Sequence, residues 1–135
     1  MKKKRSEMDE VTLILWDLKC DDWTVRQNAV SRIGRITDSA VLADLISRIH
    51  SEKWYVREMV AAGIRSITDS GLSEPLKAGL TATDACIRNA CARALGIMRC
   101  RTAEDLLKRA AEDPDSRVSR TARTSLELIH NGGPR

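Results

Sequence analysis

The sequence predicts an all-α repeat array of four units and eight helices, on three observations. Val25-Arg26, Val56-Arg57, Ile87-Arg88 and Val118-Ser119-Arg120 open stretches that restart every 31 residues. Sliding the chain by that period superimposes four apolar columns: Val25, Val56, Ile87 and Val118; Ala29, Val60, Cys91 and Ala122; Ile33, Ile64, Leu95 and Leu126; Ile36, Ile67, Met98 and Ile129. Within a unit they stand at i, i+4, i+8 and i+11, the spacing of one face of an α-helix that must be covered by a neighbour. Composition agrees. The 135 residues contain no Phe and one Tyr, 42% are hydrophobic, and prolines stand only at 75, 114 and 134, near helix boundaries.

The elements follow in the order B, A, B, A, B, A, B, A. The first is an orphan helix B, because Ile14 and Leu18 lie 31 residues before Leu45 and Ile49. Trp16 on this helix is expected in the core or as an end cap. Each helix A then carries the four columns. Asp22, Asp84 and Asp115 stand three places before the Val/Ile column, where a carboxylate caps the first free amides and meets the positive dipole end. Lys53 breaks that column, which leaves Ser51 as the expected cap of the second helix A.

A polar break ends helix A, Thr37-Asp38-Ser39 in the first unit and Thr68-Asp69-Ser70 in the second, with residues that favour turns and caps. The third unit has Arg99-Cys100-Arg101 instead. Helix B follows, with Leu45, Leu76 and Leu107 in one column and Ile49, Leu80 and Ala111 in another. Asn131-Gly132-Gly133-Pro134 closes the array with a C-cap signal. The expected organisation is a flexible basic tail over 1–5, a single repeat domain over 6–130 and a flexible C-terminus over 131–135.

The net charge of +4 is accounted for by Lys2, Lys3, Lys4 and Arg5 alone; without them 19 basic residues face 19 acidic ones. A non-specific grip on nucleic acid would therefore come from local clustering or from the tail. The apolar run Val11 to Trp16 is too short for a secretory signal, and nothing approaches a membrane span. A cytoplasmic protein is expected. The cysteines at 20, 86, 91 and 100 form no C-x-x-C pair. Cys91 reads as a small core residue and Cys86 and Cys100 as partly exposed thiols, and no metal site or cofactor is expected.

Trp23 to Asp38, Trp54 to Asp69 and Ile87 to Met98 resemble the pattern Asp-x-x-Val-Arg-x-x-Ala-Ala-x-Ala-Leu-Gly-x-Ile-Gly-Asp of the HEAT-repeat superfamily. The chain is similar to its short variety in phycobilisome-lyase-like and artificial α-repeat proteins, over about residues 20 to 130. The resemblance implies a right-handed α-solenoid of antiparallel helix pairs. Thr37 and Thr68 replace a usual glycine, and Arg65 and Glu127 replace the glycine kept at Gly34 and Gly96, where a helix interior that tolerates glycine implies close helix approach. In such folds the column Arg26, Arg57 and Arg88 forms a ladder with turn or cap carboxylates, here assigned to Asp38 and Asp69. The alternative for the arginines is a ligand role.

The same resemblance places the binding surface on the outward face of the A helices. The candidate partner-binding residues are Trp23, Gln27, Trp54, Tyr55, Glu58, Met59, Asn89, Arg93, Arg117 and Arg120, aromatic in the first two units and basic in the last two. Aromatic and arginine residues are the types most enriched at binding hot spots. The alternative is that Trp23 and Trp54 cover inter-repeat junctions. His50 and His130 have no nucleophile or carboxylate at a diagnostic spacing, and the His-Glu pairs of iron-binding HEAT-like hydroxylases are absent.

The function these residues point to is a non-enzymatic protein-protein interaction scaffold that holds a partner segment on the concave face of the A helices. The alternative is phosphate-backbone binding, by analogy with HEAT-like alkylpurine DNA glycosylases, through Arg93, Arg117, Arg120 and the tail. An accessory role in tetrapyrrole attachment is a remoter implication of the family alone. End helices with one neighbour fewer also allow a homo-oligomer.

Overall fold

The computed structural model describes residues 5–131. Eight α-helices follow one another in the expected order: α1 (Glu10–Leu18), α2 (Trp23–Gly34), α3 (Ser39–Arg48), α4 (Trp54–Ile64), α5 (Ser73–Gly79), α6 (Ala85–Ile97), α7 (Glu104–Ala110) and α8 (Ser116–Asn131). Short 3-10 turns at Arg5–Glu7, Ile49–Ser51, Ser70–Leu72 and Arg101–Ala103 complete the described chain. The even-numbered helices pack in a row, α2 on α4, α4 on α6 and α6 on α8, while α1, α3 and α5 form a second layer. In this layer α1 pairs with the α2 that follows it and α5 with α6, and α7 pairs likewise with α8. The chain is an α-solenoid.

The register places the core. All columns predicted for helix B are buried, from Ile14 and Leu18 to Leu107 and Ala111. On the A helices Val56, Ile87 and Val118, the whole Ala29 column, and Ile33, Ile64 and Leu95 are buried, whereas Val25 at the start of the row is half-buried. Cys91 is fully enclosed, and burial pushes its thiol up to about 12. Close approach of neighbouring A helices relies on small residues. A Cβ on Gly96 would stand 2.7 Å from the Cα of Ser125, and one on Gly63 would stand 2.5 Å from the Cβ of Ile33.

Four expectations are corrected. Trp16 is 56% exposed and belongs to no core; it stands at a register position that faces outward in every unit, where Ser47, Ala78 and Arg109 are also exposed. Ser51 does not cap α4: its hydroxyl donates to the carbonyl of Arg48 within the preceding 3-10 turn, and Lys53 occupies the N-cap with no side-chain bond. Arg5 is anchored rather than part of a loose tail, because both its Nη atoms donate to Asp17, at 2.9 and 2.7 Å. Asn131 belongs to α8. The remaining residues of the two expected flexible ends, 1–4 and 132–135, lie outside the described residues.

Asp17 is a buried acid that the periodic pattern does not mark. It accepts from Arg5 and also from Arg32 Nη2 at 2.5 Å. The Arg5 hydrogen bond, helped by Arg32 and opposed by desolvation, holds its carboxyl below the ordinary range. Arg32 stands in the column that holds Gly63, Ala94 and Ser125 in later units, so α2 reaches back to α1 where its successors lie close to their neighbours.

Candidate functional site

Each ladder arginine sits in the first turn of an A helix and ties down the loop in front of it. Arg26 Nη1 donates to the carbonyls of Cys20 and Asp21 at 2.7 and 2.8 Å, and Arg88 Nη1 donates to those of Ala82 and Thr83 at 2.8 and 2.9 Å. Arg57 Nη1 donates to the carbonyl of Glu52. Two of the three also reach forward to the next loop. Arg57 Nε meets Asp84 at 2.5 Å, and Arg88 meets Asp113 through Nε at 2.8 Å and Nη2 at 3.2 Å. Burial pushes the Asp113 carboxyl up, but the Arg88 bonds and the Asp115 amide outweigh it and hold it below the usual range.

The assignment of Asp38 and Asp69 to this ladder is therefore corrected. Asp38 accepts from the Ala40 amide and Asp69 from the Gly71 amide, so both cap the segments that follow them. The reason is geometric: they lie beyond the C-terminal end of a helix whose arginine is in the first turn, and a helix of about twelve residues is roughly 18 Å long.

Beside the ladder lies an open cleft of about 780 Å³. The end of α1 and the loop after it supply Leu18, Lys19, Cys20 and Asp21 to it; α2 supplies Arg26, Gln27 and Val30; α4 with its C-cap residue supplies Tyr55, Glu58, Met59, Ala61, Ala62 and Arg65. Cys86 of α6 and Arg117 of α8 complete the lining. The A row thus brings the first turns of three successive helices to one cavity. Tyr55, Cys86 and Arg117 occupy the same register position in their units. Asp22 and Asp84 cap α2 and α6 through two amides each, and Asp115 caps α8 through the Arg117 amide. Arg117 is bound by Asp115 at 3.1 Å and lies 3.8 Å from Cys86 Sγ, and its hydrogen bond to Asp115 raises its own pKa while lowering that of the carboxyl.

Five of the ten candidate partner-binding residues, Gln27, Tyr55, Glu58, Met59 and Arg117, meet at this cleft. The other five, Trp23, Trp54, Asn89, Arg93 and Arg120, do not line it. Trp54 stands next to it, its ring packed edge-on against Tyr55 with centroids 6.0 Å apart. Trp23 and Trp54 are each 65% exposed, too open to serve as covers for inter-repeat junctions. Arg93 and Arg120 are exposed, while Asn89 is half-buried with its Oδ1 enclosed and unpartnered. Lys19, Asp21 and Arg65 escape a periodic reading: the first two lie in a loop, and Arg65 replaces a glycine at the helix end.

The lining mixes apolar surface from Val30, Met59 and Ala62 with arginine and carboxylate groups. Of its two thiols, Cys86 lies beside Arg117. The histidines are elsewhere, His50 against the Ser47 carbonyl at 2.8 Å and His130 against Glu104 at 2.5 Å, where the His130 contact lowers the Glu104 pKa. Among the described residues no group of three or more His, Cys, Asp or Glu side chains could hold a metal ion, and no helix is long and apolar enough to cross a membrane.

Comparison with protein families finds two matches. The model described as HEAT repeats matches residues 11–96, and that described as PBS lyase HEAT-like repeat matches residues 87–113. A search of curated proteins finds no match.

Proposed function

Because the chain belongs to the HEAT-repeat family, whose members are generally protein-interaction scaffolds, we propose that it is a non-enzymatic module that holds a segment of a protein partner in the cleft of its A helices. The observation that carries this reading is the convergence of Gln27, Tyr55, Glu58, Met59 and Arg117 on one open cavity, with the exposed Trp54 packed against Tyr55. An extended chain or one helix face fits such a groove: Tyr55 and Met59 offer apolar contact, and Glu58 and Gln27 offer backbone and side-chain hydrogen bonds. Nucleic-acid binding has less support, since Asp115 neutralises Arg117, and Arg93 and Arg120 lie outside the cleft.

Affinity capture from a native lysate, with and without nuclease, tests this. Tyr55→Ala, Met59→Ala and Trp54→Ala are expected to weaken capture of a protein partner about tenfold or more each, as truncated hot spots do. Arg120→Ala is expected to leave it unchanged. Melting should move little for Trp54→Ala and Tyr55→Ala, whose side chains are exposed, and more for Met59→Ala, because Met59 is half-buried against the core. Capture that survives all three cleft changes would show that the partner docks elsewhere. Capture abolished by nuclease, with affinity falling steeply in salt, would favour the phosphate-binding alternative.

A further inference from the structure

The ladder has a gap at its first junction. Arg57 and Arg88 each pair with a carboxylate from the loop that starts the next A helix. The position one period before Asp84 is Lys53, and the position two periods before Asp113 is Ser51. The one acid in that loop, Glu52, is bound by Lys19 at 3.1 Å. Arg26 lines the cleft and uses Nη1 for two backbone carbonyls, and among the described residues no carboxylate pairs with it. The exchange of Asp for Lys also leaves α4 without the side-chain cap that α2, α6 and α8 have. Removal of the carboxylate thus leaves a half-buried guanidinium facing a cavity.

We propose that the partner segment carries a single Asp or Glu flanked by apolar residues, and that its carboxylate takes at Arg26 the place Asp84 takes at Arg57. The proposal rests on the cleft being the docking site. A guanidinium whose planar fork still has free N–H groups is suited to a carboxylate, and the bond is charge-assisted in a recess partly closed to water. The flanking apolar residues meet Met59, Val30 and Tyr55. Of the other basic groups in the lining, Lys19 and Arg117 are already paired with Glu52 and Asp115, and Arg65 stands at the far end of α4. Asp21 and Glu58 disfavour a second acid, which selects one carboxylate at Arg26 rather than an acidic stretch.

The test uses an array of ten-residue synthetic peptides with Glu or Asp at the centre between Leu, Met or Phe, printed beside the same peptides with Gln or Asn. The full chain is expected to bind the acidic set at least tenfold more tightly, the scale of a charge-assisted bond. Arg26→Gln should abolish the preference. Lys53→Asp places a carboxylate where the repeat puts Asp84, so it should occupy Arg26 from within, abolish the preference and raise the melting temperature by about 4 °C through the restored cap. That pairing of higher stability with lost selectivity separates a filled site from a misfolded one. Peptides that bind with Tyr55-dependence but equally as Glu and Gln would overturn this proposal and leave the cleft reading standing. An array on which neither set binds would overturn both.

Discussion

The junction between α2 and α4 and the junction between α6 and α8 occupy the same register and close by different means. At the second, a small residue admits the neighbouring helix, Arg88 is held between two backbone carbonyls and Asp113, and Ser125 Oγ donates to the Ala92 carbonyl at 2.7 Å inside the contact. At the first, Gly63 admits Ile33 as closely, but the ladder arginine lacks its forward partner and the helix it faces lacks a side-chain cap. A repeat period therefore conserves the apolar seam more strictly than the polar closure. The polar chemistry at the N-terminal end is displaced to Asp17, where Arg5 and Arg32 bind α1.

The largest effect is expected from a methyl group at the tighter seam. A Cβ at Gly96 would lie 2.2 Å from Ser125 Oγ, 2.4 Å from its Cβ and 2.7 Å from its Cα, so a rotamer change cannot relieve the clash. Overpacking costs about 1–3 kcal/mol, and loss of the buried Ser125 hydrogen bond adds about 1 kcal/mol. The gain in helix propensity offsets about 1 kcal/mol. Gly96→Ala is expected to destabilise the chain by about 2 kcal/mol in urea denaturation. Gly34→Ala, two units earlier in the same column, comes nearest the Cβ of exposed Ser66 at 3.0 Å, with the Gly63 carbonyl in ordinary contact at 3.5 Å, and should change stability by less than about 0.5 kcal/mol. Equal losses at the two sites would show that the junctions do not differ in packing.

The ladder itself gives the next largest contrast. Arg88 and Asp113 have side chains 17% and 9% exposed, so Arg88→Met strands a nearly enclosed carboxylate. A fully buried pair broken in this way costs about 3–5 kcal/mol, and partial solvent access reduces that to about 1.5 kcal/mol. Arg26→Met strands no carboxylate and loses only the bonds to the Cys20 and Asp21 carbonyls, so it should cost less, about 0.5–1 kcal/mol. Acid should act unevenly too. The folded Asp17 and Asp113 carboxyls titrate below the unfolded value of 3.8, so their contribution is present above that pH and is lost as pH falls through the folded values. Hydrogen exchange below about pH 4 should loosen the contacts of α6 with α8 and of α1 with α2 while the seam of α2 with α4 keeps its protection. Uniform loosening would show that these two acids do not govern acid stability.

The apolar columns made eight helices and nearly the whole core legible, because a face repeated at i, i+4, i+8 and i+11 admits one fold of the chain. Val25 marks the limit: it follows the pattern locally, yet it is half-buried where Val56, Ile87 and Val118 of the same column are buried. The cleft was half legible. Tyr55, Glu58, Met59 and Arg117 follow from their place on helix A, but Lys19 and Asp21 come from a loop, whose residues no helical column marks. The ladder carboxylates were misassigned because proximity in sequence favoured Asp38 and Asp69, whereas the arginines sit at the opposite end of the helix.

The smallest effect, and a change of sign, is expected where helix A ends. Thr37, Thr68 and Arg99 share one register position, but among the described residues Arg99 alone, glycines aside, has a positive φ, at 52°. Its amide donates to the Gly96 carbonyl and the Cys100 amide donates to that of Leu95, so the third unit turns through a left-handed residue that the first two do not use. Glycine has no Cβ penalty there and closes helices in this way, so Arg99→Gly is expected to stabilise by about 0.5–1 kcal/mol. At Thr37 and Thr68 the same substitution only widens the unfolded ensemble and should destabilise by about 0.5–1 kcal/mol. Thermal melts of the three single variants read the difference directly. If all three move in one direction, the third turn is not distinguished by its backbone, and the contrast between early and late units is confined to their side chains.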